Sequence, residues 1–246
     1  MEKGHCRQIV STVKMTGFMR FLKLSLSIFF FTVLLCGLFS SRLSAEENPP
    51  ARTLVYNTYD SKTGEYISEY KMVLGYFQDT KQDVTIDYEG IQEKYELDFR
   101  YETQRVKFTD KLTVTNYTGI RYGDQFVITG ILNGETINRT LTVDGLPFYF
   151  NPKLGLMDFV IRNDQKREFW GIRNDTLSTY RMVAKKMGEE FVNVNNSPVE
   201  AVKVYWAPVG MASMFFHRTY WFRKKDGVFL KAEGSNNRTR ILVREK

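Results

Sequence analysis

The stretch FVITGILNGETINRTLTV, residues 126–143, reads as two strands joined by Asn133-Gly134. An Asn-Gly pair supplies two consecutive positive φ angles, which a type I′ turn needs if it is to follow the right-handed twist of its strands. A two-residue turn there sets Phe126 opposite Leu141, Ile128 opposite Arg139 and Gly130 opposite Ile137. The intervening positions Thr136, Asn138, Thr140 and Thr142 form a polar row at period two, the mark of a strand with one wet face and one buried face.

The same signals recur on both sides of this hairpin. Strands are expected at Thr53–Tyr59, Tyr66–Phe77, Asp83–Tyr88, Lys94–Tyr101, Gln104–Phe108 and Lys111–Tyr117, and again at Glu168–Ile172, Thr179–Ala184, Glu190–Val194 and Val199–Trp206. These runs are rich in aromatic and β-branched residues, which suit a pleated, half-buried surface. A second hairpin is expected to turn at Asp226-Gly227, with Trp221 opposite Ala232 and Arg223 opposite Leu230. One helix interrupts the pattern. Asn151-Pro152 serves as N-cap and first helical residue, and Leu154, Met157 and Ile161 then share a stripe over Lys153–Arg162. The fold class is therefore all-β: a curled or barrel-like antiparallel sheet, which protects its edges, with one short helix.

The first 45 residues stand apart. LSLSIFFFTVLLCGLF at residues 24–39 carries no charge, follows Arg20 and Lys23, and precedes the small residues near Ala45. That order is the pattern of a secretory signal, expected to be cleaved after Ala45. The apolar run falls short of the roughly 20 residues a bilayer span needs. The mature chain is thus expected to be membrane-proximal without spanning a membrane. Leu35 stands where a lipobox would place a small residue, so Cys36 is not read as a lipidation site. Residues 46–246 read as a single β-rich domain, periplasmic or secreted.

The leader also distorts the composition. It holds six of the 35 basic residues and one of the 28 acidic ones, so the remainder has 29 against 27 and a net charge of +2. Such a chain is not a nucleic-acid binder by charge. Charge is nonetheless uneven: residues 46–110 hold 8 basic and 14 acidic residues, whereas residues 203–246 hold 10 and 3. Three readings fit: solvated faces that happen to differ, chain ends that neighbour each other in the sheet, or a basic end facing an anionic partner such as lipid headgroups.

Catalysis finds little to work with. Both cysteines, Cys6 and Cys36, lie in the leader, so the rest has no thiol nucleophile or thiolate metal site. His217 is the one histidine beyond the leader; it alternates with Phe215, Thr219 and Trp221 and reads as a core or edge residue of a strand. No phosphate-binding loop or nucleophile elbow occurs. The carboxylates Asp83, Asp87 and Glu89, and Glu93, Glu96 and Asp98, are read as outer-face residues of strands and not as a glycosidase pair. Five Asn-x-Ser/Thr sequons, at Asn116, Asn138, Asn174, Asn195 and Asn237, are read as incidental to an Asn- and Thr-rich composition.

Aromatic residues are the more suggestive feature. Trp170, Tyr205, Trp206, Phe215, Phe216, Tyr220, Trp221 and Phe222 crowd the second half, with Met211 and Met214 beside them. They build either a filled sheet core or an apolar concavity for an acyl chain or similar ligand. Trp206, Phe216, Tyr220, Trp221 and Phe222 are the candidate ligand-binding residues.

The segment SPVEAVKVYWAPVGMASMFFHRTYWFRKKDGVFLKAEG, residues 197–234, resembles the C-terminal part of exported bacterial proteins of domain-of-unknown-function family 3108. More broadly, the chain from Gly145 onward resembles the lipoprotein-localisation carriers. The resemblance implies an envelope location, a curved antiparallel sheet wrapped around an apolar cavity, and lipid or lipoprotein handling; it carries no catalytic residues. The expected function is a non-enzymatic exported protein that binds a hydrophobic or amphiphilic ligand, with no cofactor and no metal. The alternative is an envelope scaffold that binds another protein or a polysaccharide.

Overall fold

The computed structural model describes residues 51–246 except Phe215, Ser235 and Asn236. The export segment read at residues 1–45 lies outside the described residues.

Eight strands run consecutively before the helix: β1 (Arg52–Asp60), β2 (Tyr66–Gln78), β3 (Lys81–Tyr88), β4 (Ile91–Asp98), β5 (Thr103–Asp110), β6 (Thr115–Tyr122), β7 (Gln125–Leu132) and β8 (Glu135–Thr142). A two-residue strand, β9 (Phe148–Tyr149), leads into α1 (Pro152–Ile161). Six more follow: β10 (Lys166–Ile172), β11 (Thr179–Val194), β12 (Ser197–Pro208), β13 (Arg218–Arg223), β14 (Phe229–Gly234) and β15 (Arg238–Glu245). All fifteen belong to one sheet, ordered β8-β7-β6-β5-β4-β3-β2-β1-β15-β14-β13-β12-β11-β10-β9. Two meanders thus meet where the first and last described strands pair, β1 against β15 in antiparallel register.

Turn chemistry explains the register. Asn133 and Gly134 have φ of 52° and 83°, and Phe126 pairs with Leu141, Ile128 with Arg139 and Gly130 with Ile137, as expected. Asn195-Asn196 does the same work between β11 and β12, with φ of 52° and 62°. A Cβ added at Gly134 would meet nothing within 4 Å, so Gly134→Ala isolates the backbone cost of that turn. We expect a loss of about 1 kcal/mol, read from the midpoint of chemical denaturation.

The helix is enclosed by the sheet. Asn151 caps it, its side chain accepting from the Lys153 N–H at 3.1 Å, and Pro152 opens it. Every residue from Leu154 to Val160 is buried, whereas Ile161 is half exposed. The expected stripe of Leu154, Met157 and Ile161 is therefore incorrect. The helix is buried on all sides because protein surrounds it, and its buried Asp158 is paired with Arg162 and Arg167. Gly155 permits this: a Cβ there would stand 2.1 Å from Cγ of the buried Tyr149 ring. On another side, a Cβ at Gly227 would stand 2.5 Å from the carbonyl oxygen of Met157.

Other departures from the sequence reading have local causes. Residues 111–114 form a turn, held by the Asp110 carboxylate accepting from the Leu112 N–H at 2.8 Å, and β6 starts only at Thr115. β4 ends at Asp98, whose carboxylate accepts from the N–H groups of Arg100 and Glu102. Thr179–Ala184 and Glu190–Val194 are one strand, β11, which continues through an irregularity at Lys186–Gly188. The Asp226-Gly227 hairpin has a longer loop than expected, and a register shift places Trp221 opposite Lys231 and Tyr220 opposite Ala232. His217 lies just before β13 and is exposed, stacked on Tyr205 at 5.7 Å. One pairing is parallel, β9 with β10.

Candidate functional site

The helix N-terminus and the strands of the second half frame two adjoining hollows, the second of them also lined by Thr58 of β1, Tyr88 of β3 and Glu93 of β4. The first is an apolar chamber of about 560 Å³, walled by Pro152, Ile172, Met182, Trp206, Pro208 and Phe216. The second, a vestibule of about 470 Å³, shares Pro152, Ile172, Arg173, Trp206 and Phe216 with the chamber but is lined largely by polar and charged side chains. Each volume lies within the usual range of about 300–1,000 Å³ for small-molecule sites. Beside the chamber, the single 3-10 turn Met211–Met214 holds out two apolar side chains, Met211 at 81% and Met214 at 70% exposure. They form an uncovered apolar lip.

The five candidate residues divide between three places. Trp206, Phe216 and Tyr220 meet at the hollows: the Trp206 ring lies 5.5 Å from Phe216 and 5.4 Å from Tyr220, edge to face in both cases. Phe222 is fully buried behind them, packed on Tyr220 and Phe229. Trp221 alternates to the opposite side of β13. There the ammonium groups of Lys203 and Lys231 lie about 5 Å from its ring and its indole N–H donates to Glu190. Of the neighbouring aromatics, Trp170 is partly buried and donates to the Asp144 carbonyl, and Phe215 lies outside the described residues.

The charged residues of the vestibule went unrecognised in the sequence. Glu93 is 3% exposed, contrary to its reading as an outer-face carboxylate. It takes the same phase of β4 as Tyr95 and Leu97, which are buried, so alternation along the strand was the available signal. Tyr88 donates to Glu93 at 2.8 Å, Tyr95 donates to it as well, and the Asn151 amide reaches it at 3.3 Å. Burial and the Glu93 charge raise the pKa of the Tyr88 and Tyr95 hydroxyls far above the ordinary phenol value, which keeps both protonated as donors.

Three cations face this carboxylate network. Lys153, at the second position of α1, holds its ammonium 4.8 Å from the Tyr70 ring and 5.9 Å from the Phe229 ring. The Arg240 guanidinium lies 4.0 Å from the centre of the Tyr70 ring and donates to Thr58 Oγ1 at 3.0 Å. Arg218 lies 5.6 Å from the Phe216 ring. A row across the sheet explains the placement: Tyr220 pairs with Ala232, Ala232 with Arg240, and Arg240 with Thr58. Small Ala232 leaves room beside the guanidinium. Desolvation first, then the charge of Arg240, push the Lys153 ammonium well below its ordinary pKa, with Glu93 acting in the opposite sense.

Among the described residues, no group of three or more histidine, cysteine, aspartate or glutamate side chains is arranged to hold a metal ion. The uneven charge along the chain has a structural counterpart, because the acidic and basic ends neighbour each other. Arg52 of β1 is bonded to Glu245 of β15 at 3.0 Å, and Arg238 of β15 approaches Glu89 at 3.8 Å.

No family model and no curated protein matches the chain. Among solved structures, a β-barrel-like protein of domain-of-unknown-function family DUF1849 from Brucella abortus is similar with a TM-score of 0.56 at 9% identity. That match covers 80% of this chain and 97% of the other. The hypothetical lipoprotein YmcC from Escherichia coli is matched at a TM-score of 0.32 and 12% identity, over 86% of this chain and 94% of that one. The first likeness shows a β-barrel-like fold. It bears out the curled sheet, and it does not extend to family 3108 or to the lipoprotein-localisation carriers.

Proposed function

We propose that this chain is a non-enzymatic exported protein of the cell envelope that binds a hydrophobic or amphiphilic ligand, such as a lipid or the acyl chain of a lipoprotein, in its concave face. The observation that carries this reading is the apolar chamber walled by Ile172, Met182, Trp206 and Phe216. Methionine and aromatic walls adapt to flexible apolar chains, and the uncovered Met211 and Met214 offer such a chain a path from a membrane surface. The uncharged run at residues 24–39 behind Arg20 and Lys23 supports export.

Native mass spectrometry of the protein purified from the periplasm is expected to reveal a co-purifying lipid, and the delipidated protein is expected to bind a fluorescent fatty acid. Met182→Glu, which places a charge in the chamber wall, is expected to weaken that binding at least about tenfold, since desolvating an unpaired carboxylate costs well over 1.4 kcal/mol. An apo mass together with no uptake of the fluorescent probe by the wild type would count against the reading. The scaffolding alternative has one feature of its own, the mostly exposed strand β8 at the open end of the sheet, paired only with β7. Such an edge suits strand addition by a partner protein.

A further inference from the structure

We infer that the vestibule holds the anionic head group of that ligand, an oxyanion such as a phosphate or carboxylate, through Lys153, Arg218 and Arg240. The inference rests on the amphiphile reading above and names the class of amphiphile. Three observations support it independently of the apolar chamber.

First, among the described residues, none of these three cations has a carboxylate within 4.0 Å, although all three line one hollow. The remaining basic residues of the vestibule differ: Arg173 is paired with Asp175, and Arg238 approaches Glu89. In a groove elsewhere, three of the four bordering basic residues have partners within the protein: Lys224 bridges Glu189 and Glu200, Arg162 pairs with Asp158, and Lys186 donates to the Arg162 carbonyl. Of the five basic residues that line the vestibule, Lys153, Arg218 and Arg240 are thus the three without a carboxylate partner among the described residues.

Second, the cations lie over aromatic rings and are partly shielded from bulk water, where a charge-assisted hydrogen bond to an oxyanion is stronger than on an open surface. The depressed pKa of Lys153 reflects that same desolvation and the neighbouring Arg240; an incoming anion relieves both. Glu93 does not fill the role, since its oxygens are taken by Tyr88, Tyr95 and Asn151. Third, the wall between the two hollows is shared. An acyl chain lying against Trp206 and Phe216 in the chamber has its head group within the vestibule without any rearrangement of the sheet. The Trp206 indole N–H, buried in that wall with no acceptor, is a further donor for a head-group oxygen.

The test uses the delipidated full-length mature protein and two probes with the same acyl chain, lysophosphatidic acid and monoacylglycerol, with inorganic phosphate as a third. The wild type is expected to bind the anionic lipid at least about tenfold more tightly than the neutral one, the equivalent of one well-made charge-assisted contact. Lys153→Met and Arg240→Met are each expected to abolish most of that preference while leaving monoacylglycerol affinity within about twofold. Thermal unfolding checks each variant. Should Lys153→Met or Arg240→Met fail to fold, Arg218→Gln, on a partly exposed residue, carries the same comparison. Equal affinity for both lipids in the wild type overturns the inference and leaves the proposed function standing. Binding of neither lipid overturns both. Phosphate binding as tight as that of lysophosphatidic acid, and lost in the variants, keeps the cationic site but overturns its assignment to a lipid head group.

Discussion

Glu93→Leu is expected to destabilise the protein by about 3–5 kcal/mol, the range for removing one member of a buried charged network. The glutamate lies at 3% exposure and accepts from Tyr88, Tyr95 and Asn151. Leucine has similar volume but no acceptor. It strands the Tyr95 hydroxyl, which is buried, and each polar group left without a partner there costs about 1–3 kcal/mol. It also removes the negative charge that favours the Lys153 ammonium, leaving that lysine with the like charges of Arg240 and Arg218. Glu93→Gln keeps an acceptor for the tyrosines and is expected to cost less than half as much. Denaturant unfolding of the two variants and the wild type decides the matter; a leucine variant within 1 kcal/mol of the wild type would falsify the role given to this network.

Gly155→Ala is expected to destabilise as well, by about 1–3 kcal/mol, although alanine is the better helix former. In an exposed helix the same exchange gains roughly 0.5–1 kcal/mol. Here the added methyl would stand 2.1 Å from Cγ and 2.2 Å from Cδ1 of Tyr149, which is itself buried and packed 5.0 Å from the Phe169 ring. Overpacking of this kind typically costs about 1–3 kcal/mol. The sign is the informative part. A double-mutant cycle with Tyr149→Leu, which removes the ring edge, is expected to recover much of the loss; if Gly155→Ala stabilises the protein on its own, α1 does not lie against Tyr149 as described.

These two positions also mark the boundary of what could be read from residues in order. Strands were legible wherever alternation ran against a turn signal, as between Phe126 and Val143, because period two and the Asn-Gly conformation are both local. Glu93 was open to the same reasoning. It shares the inward phase of Tyr95 and Leu97, and expecting carboxylates to face outward overrode that pattern. Lys153, Arg218 and Arg240 were visible only as part of a basic C-terminal excess and a helix start. Nothing near them in sequence says that β13, β15 and the N-terminus of α1 share one hollow. The candidate aromatics show the same limit: Tyr220 and Trp221 are adjacent in sequence and lie on opposite faces of one strand.

By itself, the sequence determined the all-β class, the helix after Asn151 and its cap, the principal hairpin with its register, and the absence of cysteine from residues 46–246. All of these depend on residue type and on spacing over a few positions. Tertiary structure alone decided that β1 pairs with β15, that the helix is enclosed with no exposed stripe, and that an apolar chamber adjoins three unpaired cations. The physical reason is that closure and burial are set by contacts between residues far apart in the chain. Whether a charge is solvated, paired or left facing a cavity depends on which strand the fold brings beside it.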